Sequence, residues 1–259
     1  MLAWFGGGMS SFYLLALLAA LCIGLSKSGF SGISMVSVLL LAELYGAKAS
    51  VGLALPLLIA ADLLAYPAFI RHGSWRPVWR LLGPTLVGLA AGWWVLGWIP
   101  DEVARRVIGA CVLCMAALQI SRSRRPEWSE RWVHSRGFGM AAGVVGGFAT
   151  MLANAAGPVI QLYLAARNVP KMELIGIGAR FFLLVNLLKV PLNARLALIT
   201  PESLLENARL LPGVVIGVFG GRWLVCWRGC VCCCGEAGSI MRSGTGPFRK
   251  SVSVRMKRE

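Results

Sequence analysis

Lys27, Asp62, Asn154, Asn186 and Lys189 are the residues on which chemistry could be built, because each lies in or beside a long apolar run. Asp62 sits halfway along "VGLALPLLIAADLLAYP". Asn186 and Lys189 sit in "IGIGARFFLLVNLLKVP", which also carries Arg180. An ionisable group in such surroundings is costly, so a functional or pairing role is its default reading. Lys189 follows Asn186 by three positions, and on a helix both face one side. Lys27 and Ser28 fall in "GLSKSGFSG", with Gly29 and Gly32, and Asn154 falls in "ATMLANAAGP", with Gly157 and Pro158. Both stretches read as breaks in a helix. A broken helix exposes backbone N–H groups that attract anions. With an ammonium at Lys27, amide donors at Asn154 and Asn186, and a second ammonium at Lys189, the pocket would be cationic and suited to a small oxyanion. Simpler roles stay open. Lys27 could snorkel to an interface, and Asn154 could only join helices. Asp62 could pair with Lys27 or Lys189, or take up a proton and couple the site to a proton gradient.

The elements that must hold these residues are membrane helices. Hydrophobic residues make up 57% of the chain and charged residues only 14%, beyond what a water-soluble fold uses. Seven runs, 12–25, 51–70, 78–99, 103–120, 137–152, 175–192 and 210–225, each read as a crossing or part of one. A crossing takes about 20 apolar residues. The runs lack strand alternation and are rich in Leu, Ala and Gly, so an all-α polytopic integral membrane protein is expected. No Lys or Arg precedes Lys27, so the first run lacks the basic flank of a cleaved signal peptide. The formal charge of +15 is assigned to membrane orientation and not to nucleic acid, because the basic residues gather at run ends. The loop 122–136, with Arg122, Arg124, Arg125, Arg131 and Arg136, is the heaviest cluster. If every run crosses once, Arg71, Arg76, Arg80, Arg195 and Arg209 lie on the side of that loop, with the amino terminus. His72 and His134 are read as solvated.

The sequence also repeats itself. Residues 51–67 lie over 175–191 without a gap, matching Asp62 to Asn186 and Pro67 to Pro191. Gly88, Gly92 and Trp94 answer Gly217, Gly221 and Trp223, and the two breaks occupy corresponding places. The expected organisation is a first transmembrane repeat over 1–121, a basic loop over 122–136, and a second, incomplete repeat over 137–225. Each repeat has about four spans and a broken first helix. Paired breaks in two repeats point to a binding site near the bilayer midplane, where the repeats meet. The G-x-x-x-G spacings, Gly139 to Gly143 and Gly143 to Gly147, are read as packing faces that would also permit a homo-oligomer.

The segments "GLSKSGFSG", "LPLLIAADLLA", "TMLANAAGP" and "FFLLVNLLKVP", in that order, resemble the signatures of the TauE/SafE family of sulfite exporters, from about Phe12 to Val225. The resemblance implies a bacterial inner-membrane transporter, an exporter of small anions such as sulfite or organosulfonates. It also implies eight spans in two four-span repeats, and the expected mechanism is alternating access at the repeat interface. An eighth span is not evident. Residues 226–259 instead form a basic tail that begins with Cys226, Cys230, Cys232, Cys233 and Cys234. The abrupt change suggests a tail read out of frame, and adjacent cysteines match metal spacing poorly. No His lies in a run, and G-x-S-x-G and H-E-x-x-H are absent, so an enzyme is not expected. No cofactor or metal is expected, and the partners are a small anion and the lipid bilayer. The competing class is a structural or signalling membrane protein that transports nothing.

Overall fold

In the computed structural model the described residues are 9–28, 32–69, 73–124, 136–165 and 171–243, with side chains described no further than Leu224. They form helices α1 (Met9–Lys27), α2 (Ile33–Tyr45), α3 (Ala47–Phe69), α4 (Arg76–Trp98), α5 (Asp101–Arg124), α6 (Arg136–Ala153), α7 (Gly157–Ala165), α8 (Lys171–Arg195) and α9 (Pro201–Ser243). The chain divides into two compact units, Met1–Gly221 and Arg222–Glu259. The second holds the rest of α9, to Ser243, and the tail. Gly29, His72, His134 and most of the 122–136 loop lie outside the described residues.

Five helices are long and apolar enough to cross a membrane, within α3, α4, α5, α8 and α9. The protein is a multi-pass helical membrane protein. At 23 residues, α4 is about 34 Å long. It exposes Trp75 (just before its start) and Trp79 at one end and Trp94 and Trp98 at the other, where indoles anchor to the two lipid–water interfaces.

The shorter apolar helices do something else. α1 and α2 pack together, and Phe12 near the start of α1 meets Tyr45 at the end of α2, ring centroids 5.2 Å apart. The chain thus enters and leaves at the same end. α6 and α7 do likewise, with Phe138 stacked on Tyr163 at 6.4 Å. Each break is therefore the tip of a helical hairpin, and α2, spelled "ISMVSVLLLAELY", is an apolar helix the run count passed over.

The hairpins enter from opposite ends. At one end Arg105 pairs with Glu43 at 2.6 Å, the Lys48 N–H donates to Asp101 at 2.9 Å, and Arg209 donates to the Tyr13 hydroxyl at 3.2 Å. With Glu102, Glu202 and Glu206 this is the acidic end. At the other, Gly73 lies against the Glu173 carbonyl and Arg180 sits over Trp75, 5.6 Å from its ring centre. This end carries Arg76, Arg80, Arg124 and Arg136, and is the arginine end. The expectation that Arg195 and Arg209 share a side with Arg76 and Arg80 is overturned. Each hairpin returns to its starting end and removes a crossing, so Arg195, Arg209 and the start of α1 lie at the acidic end.

Glycine sets how close the helices come. A Cβ on Gly88 would run into the Val144 carbonyl, and one on Gly147 into the Thr85 carbonyl, so α4 and α6 touch backbone to backbone. Gly24 and Gly217 do the same for α1 and α9, against Val214 and Leu21. Without a hydrophobic drive between helices in lipid, such contact is how spans adhere.

Candidate functional site

The two hairpin tips meet beside the middle of α3 and α8. Lys27, the last residue of α1, reaches Asp62 with Nζ 2.8 Å from Oδ1. Asn186 donates its side-chain N–H to the other oxygen of Asp62 at 2.8 Å. Asp62 is 1% exposed and Asn186 2%, while the Lys27 side chain keeps 12% of its surface open. The ring of Phe182 lies under the Lys27 ammonium, 5.0 Å from its centre, within cation–π range. Both carboxylate oxygens thus have partners, as a buried charge requires.

Lys189 is fully buried. It donates to the Thr150 carbonyl at 2.6 Å and to the Asn154 side-chain oxygen. These acceptors close the carboxyl end of α6, where the helix dipole and unpaired carbonyls favour a cation. Asn154 holds the hairpin turn with φ 50°, a left-handed conformation that Asn tolerates better than most residues. Its N–H bonds back to the Thr150 carbonyl at 3.1 Å. One residue therefore turns the chain and fixes the lysine. Among the described residues no carboxylate pairs with Lys189. With all three groups ionised, Lys27, Lys189 and Asp62 carry a net single positive charge, and an anion would neutralise it.

A cavity with about 80 Å³ of room opens beside this cluster, on its arginine-end side. A single water needs about 10–15 Å³, so there is space for several waters or one small oxyanion. Lys27, Asp62, Asn154 and Asn186 line it, with Ser26, Ser34 and Gln161. Gly157, the first residue of α7, lines it too. First-turn N–H groups have no partner within their own helix, and Pro158 next to it lacks an N–H altogether.

The arrangement gathers Lys27, Asp62, Asn154, Asn186 and Gly157 around one space, with Lys189 buried behind it. Ser28 does not line the cavity. Its hydroxyl donates to the Val218 carbonyl of α9 at 3.1 Å. Gly32 precedes α2 and has nothing near its missing side chain. Sequence reasoning missed Ser26, Ser34, Gln161 and Phe182 as lining, and Thr150 as a lysine acceptor. Gln161 had a readable signal, since it stands one helical turn after Gly157 on the same face of an apolar helix. Thr150 acts through its carbonyl, which no side-chain pattern reveals. Among the described residues no group of three or more His, Cys, Asp or Glu could hold a metal ion.

Helical hairpins entering from opposite ends, with charged and amide groups at tips that meet in mid-bundle, define the class as a polytopic membrane protein built around a buried polar site. The model of the sulfite exporter TauE/SafE family matches residues 14–227, and the chain belongs to that family. It is a family of membrane transporters of sulfite-type anions. No curated protein and no solved structure matches the chain.

Proposed function

We propose that the protein carries a small oxyanion, sulfite or an organosulfonate, out across a bacterial inner membrane by alternating access at the meeting of the two hairpin tips. The observation that carries the reading is the cluster itself. Two lysines and one aspartate are held within the bundle next to a cavity of oxyanion size. In this reading the Lys27 ammonium, the first-turn N–H groups of α7 and the Ser26, Ser34 and Gln161 side chains receive the oxyanion's oxygens. Asn186 orients Asp62, and Lys189 fixes Asn154. Ser28, set against α9, supports the α1 tip from behind. Asp62 is the group that couples flux to protons, since entry of the anion competes with it for Lys27.

Charge supports an orientation, and the orientation is consistent with export. Basic loops stay in the cytoplasm, so the arginine end is cytoplasmic and the cavity faces the side from which an exporter loads. The segment 226–259 has no part in this cycle. The family match ends at residue 227, where the cysteines begin, which supports an out-of-frame reading. An apolar span of about 20 residues in another frame of the gene would establish it.

The test is sulfite efflux from proteoliposomes holding the purified full chain, with and without an imposed pH gradient. Efflux well above empty vesicles, and steeper with the gradient, is the expected result. Efflux equal to empty vesicles for sulfite and for a panel of short sulfonates would overturn the proposal.

A further inference from the structure

On the other side of the hairpin tips lies a second, much smaller void of about 10 Å³. It shares Ser34, Leu58 and Asn154 with the main cavity and runs from them toward the acidic end, between α2 and α3. The two voids are lined by matching positions of the repeated sequence. Val51, Ala54 and Leu58 of α3 line the small one, and their counterparts Ile175, Gly178 and Phe182 of α8 line the large one. The glycine contacts fix the same match for the hairpins. Gly24 closes on Val214 and Val218 of α9 as Gly147 closes on Thr85 and Leu89 of α4. In that register Ser37, Val38 and Leu41 of α2 in the small void answer Ile160, Gln161 and Leu164 of α7 in the large one.

We infer that the small void is the shut half of the substrate's route, opening to the acidic end when the two hairpins exchange conformations. The inference rests on the transport reading above. Two chain segments of matching sequence, inserted from opposite ends, can adopt each other's packing. Doing so opens α2 from α3 as α7 now stands open from α8, and closes the large cavity in return. The chemistry of the shut half suits this. Ser37 and Ser50 donate to carbonyls of their own helices, Ser34 and Ala47, at 2.7 Å each. Their hydroxyls are satisfied while the route is closed and can turn to donate to an oxyanion when it opens. Ser37 and Ser50 would then form a hydroxyl-lined exit from the tips toward the acidic end, held shut here by the apolar contacts of Val38, Leu41 and Val51.

A thiol at Ser37 tests this, in the full chain with its native cysteines replaced by serine. Ser→Cys changes one atom, so folding is retained, and size-exclusion chromatography confirms it. A membrane-impermeant maleimide is applied from each face in sealed vesicles of known orientation, with no substrate present. Ser37→Cys is expected to react only from the acidic-end face. Gln161→Cys is expected to react only from the arginine-end face. Labelled Ser37→Cys should lose sulfite efflux at least tenfold relative to the same variant unlabelled. Reaction of Ser37→Cys from the arginine-end face, or from neither face, would overturn the route. Side-specific labelling of both variants in a protein that moves no sulfite would uphold the route and sink only the choice of anion, so the two failures are distinguishable.

Discussion

Replacing Lys27 by Met removes the ammonium that pairs with Asp62 at 2.8 Å and leaves a carboxylate 1% exposed. Asn186 still donates one hydrogen bond to it. Lys189 cannot take over, because its ammonium is committed to Thr150 and Asn154. Breaking a buried pair from one side costs about 3–5 kcal/mol. For a chain of this length each kcal/mol lowers Tm by about 2–4 °C, so Lys27→Met should melt roughly 10 °C below the parent in detergent. Removing both charges, in Lys27→Met with Asp62→Asn, relieves the stranded carboxylate and should return stability to within about 1 kcal/mol of the parent. The double variant also keeps the net charge of the cluster, since Lys189 alone then supplies it. Its transport separates pairing from anion contact. Lys27 lines the cavity and Lys189 does not, so the double variant is expected to fold normally and yet lose sulfite efflux at least tenfold. Efflux at the parent rate from the double variant would refute the role of Lys27 as the contacting group. A single variant that melts within 2 °C of the parent would refute the buried pair.

Asn154 separates turn from side chain. Both Asn154→Gly and Asn154→Ala lose the oxygen that holds Lys189; glycine adopts the left-handed turn freely, whereas alanine keeps a Cβ at φ 50° without the polar side chain that makes it tolerable, at a further cost of roughly 1 kcal/mol. The alanine variant should therefore melt below the glycine variant, and the reverse order would show the turn is not as described. Gly147→Ala should destabilise by about 1–3 kcal/mol, because its Cβ would meet the Thr85 carbonyl. Gly109→Ala, mid-helix in α5 with open space at that position, should melt at or slightly above the parent.

Much of the candidate site's geometry was legible because membrane helices must hide every polar group. Asp62, Asn186 and Lys189 stand out in sequence for that reason, and the chain brings Asp62 and Asn186 together through the Asp62 carboxylate. The pairing partner of Lys27 was also open to reading, since one acid and two lysines in apolar runs leave few combinations. What sequence could not show was the use of backbone. Lys189 is satisfied by a carbonyl and by an amide held at the end of α6, and nothing in the spelling of "TMLANAAGP" says that Thr150 contributes its C=O. Ser28 misled because its type suits anion binding, while its position in the tip turns it to the Val218 carbonyl.

The error in topology has a single physical source. Counting crossings assumes that each apolar run spans the bilayer, and α1 at 19 residues and α6 at 18 are long enough to pass that count. What reverses the chain is the tip, after which a second apolar helix of 13 or 9 residues returns. Neither of those is long enough to cross alone. In lipid a reversal at that depth would strand N–H and C=O groups, so it survives only where protein surrounds it and the freed groups find work. Here Lys189 takes the carbonyl end of one tip, and Asp62 takes the lysine that ends the other. The same two side chains that make the reversals tolerable also place charge at the cavity. A sequence with paired polar tips and matching polar residues mid-span is therefore better read as two hairpins than as two broken crossings. On that reading Arg76, Arg80, Arg124 and Arg136 fall together at one end, and Arg195 and Arg209 fall among the acids at the other.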